Sequence, residues 1–166
     1  MRILLLGGRE NSGKTETLIN LRDWLKNNGW QNNHEEPNGN FQKDFICWLS
    51  GGKNKIKNII LNTAADDLTS INKLKEFIQY YKNSNNSNFD NVLLISAIRA
   101  PVNTAKDRLR KELLDYLQLE FKFYENDLVE MPVTHIYRSN SQILDWYNKK
   151  VLLILEKLLA NPPFEV

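Results

Sequence analysis

The chain carries one cysteine, Cys47, and two histidines, His34 and His135, in 166 residues. A single thiol excludes an intramolecular disulfide and any thiolate zinc cluster, and the two imidazoles have no metal-ligand spacing. Cys47 is therefore expected to be a small buried hydrophobe. No apolar run approaches the roughly 20 residues that cross a bilayer. The N-terminus opens on a strand-like segment and shows no apolar stretch followed by a cleavage site, so a cytoplasmic location is expected, with no secretory signal and no membrane partner. Charge of one sign is also scarce. Lys+Arg number 22 against 20 Asp+Glu, a net charge of +2, which leaves no global basic field of the kind nucleic-acid binders show. There is no internal repeat. The composition, 42% hydrophobic and 25% charged, excludes the disordered and membrane classes. The length suits one domain over residues 1–166, with a sheet of about five strands covered by helices.

One segment is specific. Gly8-Arg9-Glu10-Asn11-Ser12-Gly13-Lys14-Thr15 satisfies G-x-x-x-x-G-K-[ST]. It follows an apolar strand-like run, Arg2 to Leu6, and precedes Leu18, Ile19, Leu21, Trp24 and Leu25 at helical spacing. Strand, glycine loop and helix is the order a phosphate-binding loop requires. Glycine lets backbone N–H groups turn inward toward phosphate oxygens, and the first helical turn adds its positive dipole end. Lys14 is expected to set an ammonium against the β- and γ-phosphates, and the Thr15 hydroxyl to ligate magnesium. Gly8, Asn11, Ser12, Gly13, Lys14, Thr15 and Glu16 form the expected nucleotide-binding set.

This run resembles the Walker A motif of P-loop NTPases, specifically so over about the first thirty residues. More loosely, the chain is similar to short P-loop ATP-binding proteins of bacteria and their mobile elements. The resemblance implies a P-loop fold that binds ATP, or another nucleoside triphosphate, with Mg2+.

The rest of the chain supplies the remaining layers. Asn27-Asn28-Gly29 stops the first helix, and Asn32 to Asn40, with Pro37 and Gly39, reads as a polar loop suited to a mobile active-site segment. Phe45 to Leu49 and Lys57 to Asn62 read as a hairpin whose first strand runs antiparallel. Ser70 to Lys82 reads as a covering helix capped by Thr69 or Ser70, and Asn91 to Ala97 as a central buried strand. Lys106 to Leu119 is helical by spacing, Phe121 to Tyr124 and Val133 to Tyr137 are candidate strands, and residues 139–160 form a closing helix. Alternating strands and helices predict a three-layer α/β/α sandwich, its sheet mostly parallel with one antiparallel hairpin strand.

A phosphate loop needs a carboxylate at the end of a neighbouring strand to hold magnesium. The segment Asn62-Thr63-Ala64-Ala65-Asp66-Asp67 is similar to the strand end of small GTPases, where an aspartate opens a D-x-x-G signature; here Asn62 and Ala65 stand at both signature positions. Asp66, four residues on, is the carboxylate expected to reach back to the metal, with a helix N-terminal role for Asp66 and Asp67 as the alternative. The N-K-x-D motif that accompanies guanine recognition in those proteins is missing; Asn72-Lys73-Leu74-Lys75 lacks the acid. ATP is therefore the default nucleotide. Arg99, at the end of the central strand and before Ala100-Pro101, is expected to stabilise charge during phosphoryl transfer or to bind a second substrate. Lys14, Asp66 and Arg99 are thus the expected catalytic residues, and Thr15 and Asp66 the metal residues. Arg108 and Arg110 read as the solvated face of a helix, with a lid role as the alternative. Arg138 is a weaker phosphate-side candidate. The four tryptophans are assigned mainly to core faces, with Trp30 exposed.

The expected activity is ATP hydrolysis or phosphoryl transfer to a small-molecule or nucleotide acceptor. Its pocket would be walled by residues 32–40 and Arg99, with Asp66 or Glu10 as proton acceptor. The alternatives are a nucleotide-dependent binding module acting on a protein or DNA partner, and a GTPase-like switch without the base-recognition motif.

Overall fold

A computed structural model describes residues 1–9, 12–39, 42–51, 54–84, 89–99, 107–122, 124, 127–133 and 141–166. Within them lie six strands, β1 (Arg2–Gly8), β2 (Gln31–Pro37), β3 (Phe45–Ser50), β4 (Asn58–Asn62), β5 (Val92–Arg99) and β6 (Leu128–Pro132). Four helices alternate with them: α1 (Lys14–Asn27), α2 (Leu68–Ser84), α3 (Asp107–Phe121) and α4 (Ser141–Leu159). The strands form one mixed sheet in the order β2-β3-β4-β5-β1-β6.

The apolar run that opens the chain is continuous because β1 is covered on both faces. Leu4 and Leu6 pack with Leu18, Leu21 and Leu25 of α1 and with Val151, Leu155 and Leu159 of α4. Ile3 and Leu5 point the other way, into a cluster with Ile71, Leu74, Phe77 and Ile78 of α2 and Leu113 and Leu117 of α3. Alternation of side chains along a strand splits the core into these two layers. Each fully buried Leu or Ile contributes about 1.5–3 kcal/mol. The central strands are thereby held far more firmly than any surface ion pair could hold them.

β1 pairs in parallel with β5 and β6, and β5 with β4. β3 runs antiparallel to both β2 and β4. The N-terminal end of β3 therefore lies on the same sheet edge as the C-terminal ends of β1, β4 and β5. The register makes this concrete, for Gly8 aligns with Arg99, and Ile46 and Ser96 both align with Asn62.

The expected hairpin and its antiparallel strand are present. The polar segment after α1 is a strand, not a loop: β2 ends the sheet, so its polar residues face solvent and solvate its outer edge. His34, on its inner side, stacks on Phe77 and Tyr80 with ring centroids 5.5 and 4.6 Å apart. Phe121 belongs to α3 instead of a strand, because Leu113, Leu117 and Phe121 continue one helical face, and Lys122 then takes a left-handed φ of 46°. The last strand among the described residues is Leu128–Pro132; the predicted strand Val133–Tyr137 lies, from residue 134 onward, outside the described set. Trp30 is 8% exposed and sits in the core, whereas Trp146 on α4 is 60% exposed. Trp30 is drawn inward because its N–H closes the end of α1 on the Leu25 carbonyl at 3.1 Å. No helix among the described residues is long and apolar enough to cross a membrane.

Candidate phosphate-loop site

β1 delivers the glycine loop to the sheet edge. A Cβ on Gly8 would strike Ser12 Oγ and lie 2.9 Å from the Val133 carbonyl oxygen, so the strand end admits only glycine. Gly13, at φ 91°, takes the left-handed conformation and begins α1 with no side-chain cap. The N-cap residue therefore contributes no side-chain hydrogen bond to the first-turn amides of α1. Ser12 is buried, and among the described residues its Oγ has no hydrogen-bond partner. Lys14 is buried too, its ammonium donating to the carbonyl oxygens of Gly8 and Arg9, both at 2.9 Å. A buried orphan hydroxyl, uncapped amides and an ammonium folded onto its own loop together fit a phosphate group.

The Thr15 hydroxyl donates to Asp44 Oδ1 at 3.1 Å. Asp44 is buried and immediately precedes β3. Its carbonyl accepts from the Asn38 amide at 3.1 Å. No feature of the sequence around Asp44 marks it, because the local pattern points to the C-terminal ends of parallel strands for the carboxylate, and Asp44 precedes an antiparallel one. An antiparallel strand brings its N-terminal residue to that same edge, and the hairpin signal was the clue available.

Asp66 takes another partner. Its Oδ1 lies 3.6 Å from Arg99 Nε, so the two residues meet as an ion pair at the ends of β4 and β5. β4 is not adjacent to β1, since β5 lies between them. Asp67 serves the alternative role foreseen for this acidic pair, its Oδ1 accepting from the Ser70 amide at 2.8 Å at the start of α2. The cap of α2 is therefore Asp67, and Ser70 is its reciprocal partner.

Asn62, fully buried, is committed to a polar ladder. Its Nδ2 donates to the Ala64 carbonyl at 2.8 Å and to Ser96 Oγ at 2.9 Å, while its Oδ1 accepts from Asn38 Nδ2 at 2.5 Å. Arg110 is no lid. It grips Glu130 with two bonds, one of them at 3.0 Å, and donates to the Arg99 carbonyl at 3.2 Å. Glu130 lies against Gly7, where an added Cβ would strike Oε1. Arg108 is exposed. Lys73 of the partial Asn-Lys motif donates to the Pro37 carbonyl. Glu10, Asn11, His135 and Arg138 lie outside the described residues.

Cys47 is buried, and burial first, with the nearby Glu35 charge second, pushes its thiol up to about 12. It carries no thiolate chemistry at neutral pH. Among the described residues, no three His, Cys, Asp or Glu side chains form a ready-made metal cage. A nucleotide-bound magnesium ion takes most of its ligands from phosphate and water and needs only one or two side chains, which Thr15 and Asp44 fit. No family model, curated protein or solved structure matches the chain, and the site is read from its own geometry.

Proposed function

We propose that the chain is a P-loop NTPase that binds Mg·ATP at Gly8–Glu16 and hydrolyses it or transfers its γ-phosphate. The observation that carries this reading is the contact between Thr15 and the buried Asp44 carboxylate at 3.1 Å. It lies one residue from an ammonium already seated in the loop. Lys14 neutralises phosphate charge, the amides of α1 bind phosphate oxygens, and Ser12 Oγ gains a partner. Thr15 and Asp44 would hold the magnesium ion, which supplies charge neutralisation when bound. Arg99 and Asp66 neutralise one another beside the loop, a positioning role in place of the metal role first expected of Asp66.

A second reading, a nucleotide-dependent binding module, draws on one further observation. Asp44 connects Thr15 to Asn38, and Asn38 connects to the ends of β4 and β5 through Asn62 and Ser96. Occupation of Thr15 by a ligand would therefore pull on residues 38–44 and on the hairpin. Calorimetric titration with ATP and GTP, with and without magnesium, followed by a phosphate-release assay, separates the readings. Magnesium-dependent binding with turnover supports the enzyme, and binding without turnover supports the module. Lys14→Ala should abolish triphosphate binding; unchanged affinity in that variant overturns the loop assignment.

A further inference from the structure

A groove of about 370 Å³ runs between α1 and the β2–β3 hairpin, lined by Glu16, Ile19, Arg22, Glu35, Gln42, Lys43 and Phe45. It borders the phosphate loop on two sides, because Glu16 follows Thr15 and Lys43 precedes Asp44. Its apolar lining is Ile19 and Phe45, and the Arg22 guanidinium lies 4.5 Å from the Phe45 ring centroid. Both cations already have carboxylate partners: Arg22 with Glu35 at 2.9 Å and with Asp23 at 3.1 Å, Lys43 with Glu16 at 3.8 Å. Among the lining residues two acids balance two bases. The charges of the lining cancel and offer an added anion no net attraction, whereas hydroxyl groups would find carboxylate and amide partners and a carbon skeleton would find Ile19 and Phe45. The size suits a small molecule.

We propose that this groove is the acceptor subsite, and that it takes a neutral, hydroxyl-bearing small molecule in preference to a phosphorylated one. The proposal rests on the Mg·ATP reading of the loop. The acceptor hydroxyl oxygen forms the new bond to the γ-phosphorus while the bond to the β–γ bridging oxygen breaks. ADP leaves with that electron pair, and the hydroxyl proton passes to the Glu16 carboxylate. Glu35, from β2, forms one wall; Arg99, first expected to be another, is held by Asp66 and does not line the groove.

The test uses matched probes that differ by one phosphate: glycerol and glycerol 3-phosphate, glucose and glucose 6-phosphate, uridine and uridine 5′-monophosphate. Each is titrated calorimetrically into protein holding magnesium and a non-hydrolysable ATP analogue, and transfer is then followed with ATP. At least one neutral probe should bind roughly tenfold or more tightly than its phosphorylated twin and speed ADP release. Ile19→Trp, which fills the groove, should weaken that binding about tenfold, and Lys149→Ala on α4 should not change it. Preference for a phosphorylated twin, no binding by any probe, or a folded Ile19→Trp that binds like wild type overturns the proposal. If Ile19→Trp does not fold, the exposed Lys43→Glu takes its place and should widen the preference for the neutral probe; a narrowed preference counts against the groove. Failure of the ATP analogue itself to bind would instead sink the loop reading, so the two failures are distinguishable.

Discussion

The two flanks of the glycine loop carry similar numbers of charged side chains but differ in one pair. Toward α2 and α3, Arg110 and Glu130 lock together through two bonds with side chains only 17% and 29% exposed, and Arg99 closes on Asp66. Toward α1 and the hairpin, Lys43 and Glu16 stand 3.8 Å apart with side chains 74% and 45% exposed, and they border open volume. A bidentate, partly buried Arg–carboxylate pair contributes to folding, whereas an exposed pair contributes about 0–1 kcal/mol and is easily displaced. Charge close to a candidate site therefore says little about function until its partners are counted. The one loosely held pair, Lys43 with Glu16, borders the groove, while Arg22 and Glu35 on the same flank meet at 2.9 Å with side chains 20% and 34% exposed.

The comparison breaks most sharply at Asp44. Asp44→Asn should weaken magnesium-dependent ATP binding by roughly 10–100-fold, with Asp66→Asn costing only about threefold. Titrations with and without magnesium would read both, and the opposite ranking would return the metal role to Asp66. A smaller effect is expected on stability. Glu130→Ala should lower the unfolding free energy by about 1.5–3 kcal/mol, because Arg110 is left without its carboxylate. A urea midpoint that does not move would show that the α2–α3 flank is not locked as described. The smallest effect belongs to the far ends of α2 and α3, where Lys82 bonds Glu120 at 2.6 Å. That bond, with a weaker one from Gln79, holds the Glu120 carboxyl below its ordinary 4.5, against a partial desolvation that works the other way. A depressed carboxyl stabilises the fold above its ordinary value and loses that contribution as pH falls through its lowered one. Lys82→Met should thus reduce stability by at most about 1 kcal/mol at neutral pH, with the difference fading under acid. A difference that grew on acidification would reverse the assignment.

The legible parts of the chain were those with one dominant local signal. β1, β5 and the β3–β4 hairpin announce themselves because burial on both faces demands unbroken apolar runs, and α1, α2 and α3 because one apolar stripe repeats at helical spacing. The edge strands were not legible. β2 is nearly all polar and ends on Pro37, and β6 contains Glu130 and ends on Pro132. An edge strand tolerates proline and solvates its outer face, so it carries the composition of a loop. The candidate site divides in the same way. Lys14 and Thr15 follow from a contiguous motif, but Asp44 depends on which strand end the hairpin returns to the loop, a long-range property of the sheet. Arg99 and Asp66 meet as an ion pair, which no local pattern could distinguish from a phosphate contact.

The position of β1 in the sheet also sets an order of assembly. The hairpin of β2, β3 and β4 closes within residues 31–62, whereas Leu5 pairs with Ser96, about ninety residues downstream, and with Glu130. At a synthesis rate of about 5–20 residues per second, the hairpin strands meet their partners several seconds before β1 meets its own. Until then Ile3 to Leu6 have no sheet to enter, and the glycine loop has no edge to stand on. The glycine loop thus gains its sheet edge only after β5 has been made: a fragment ending before Arg99 holds the strands of the hairpin but lacks the full partner of β1.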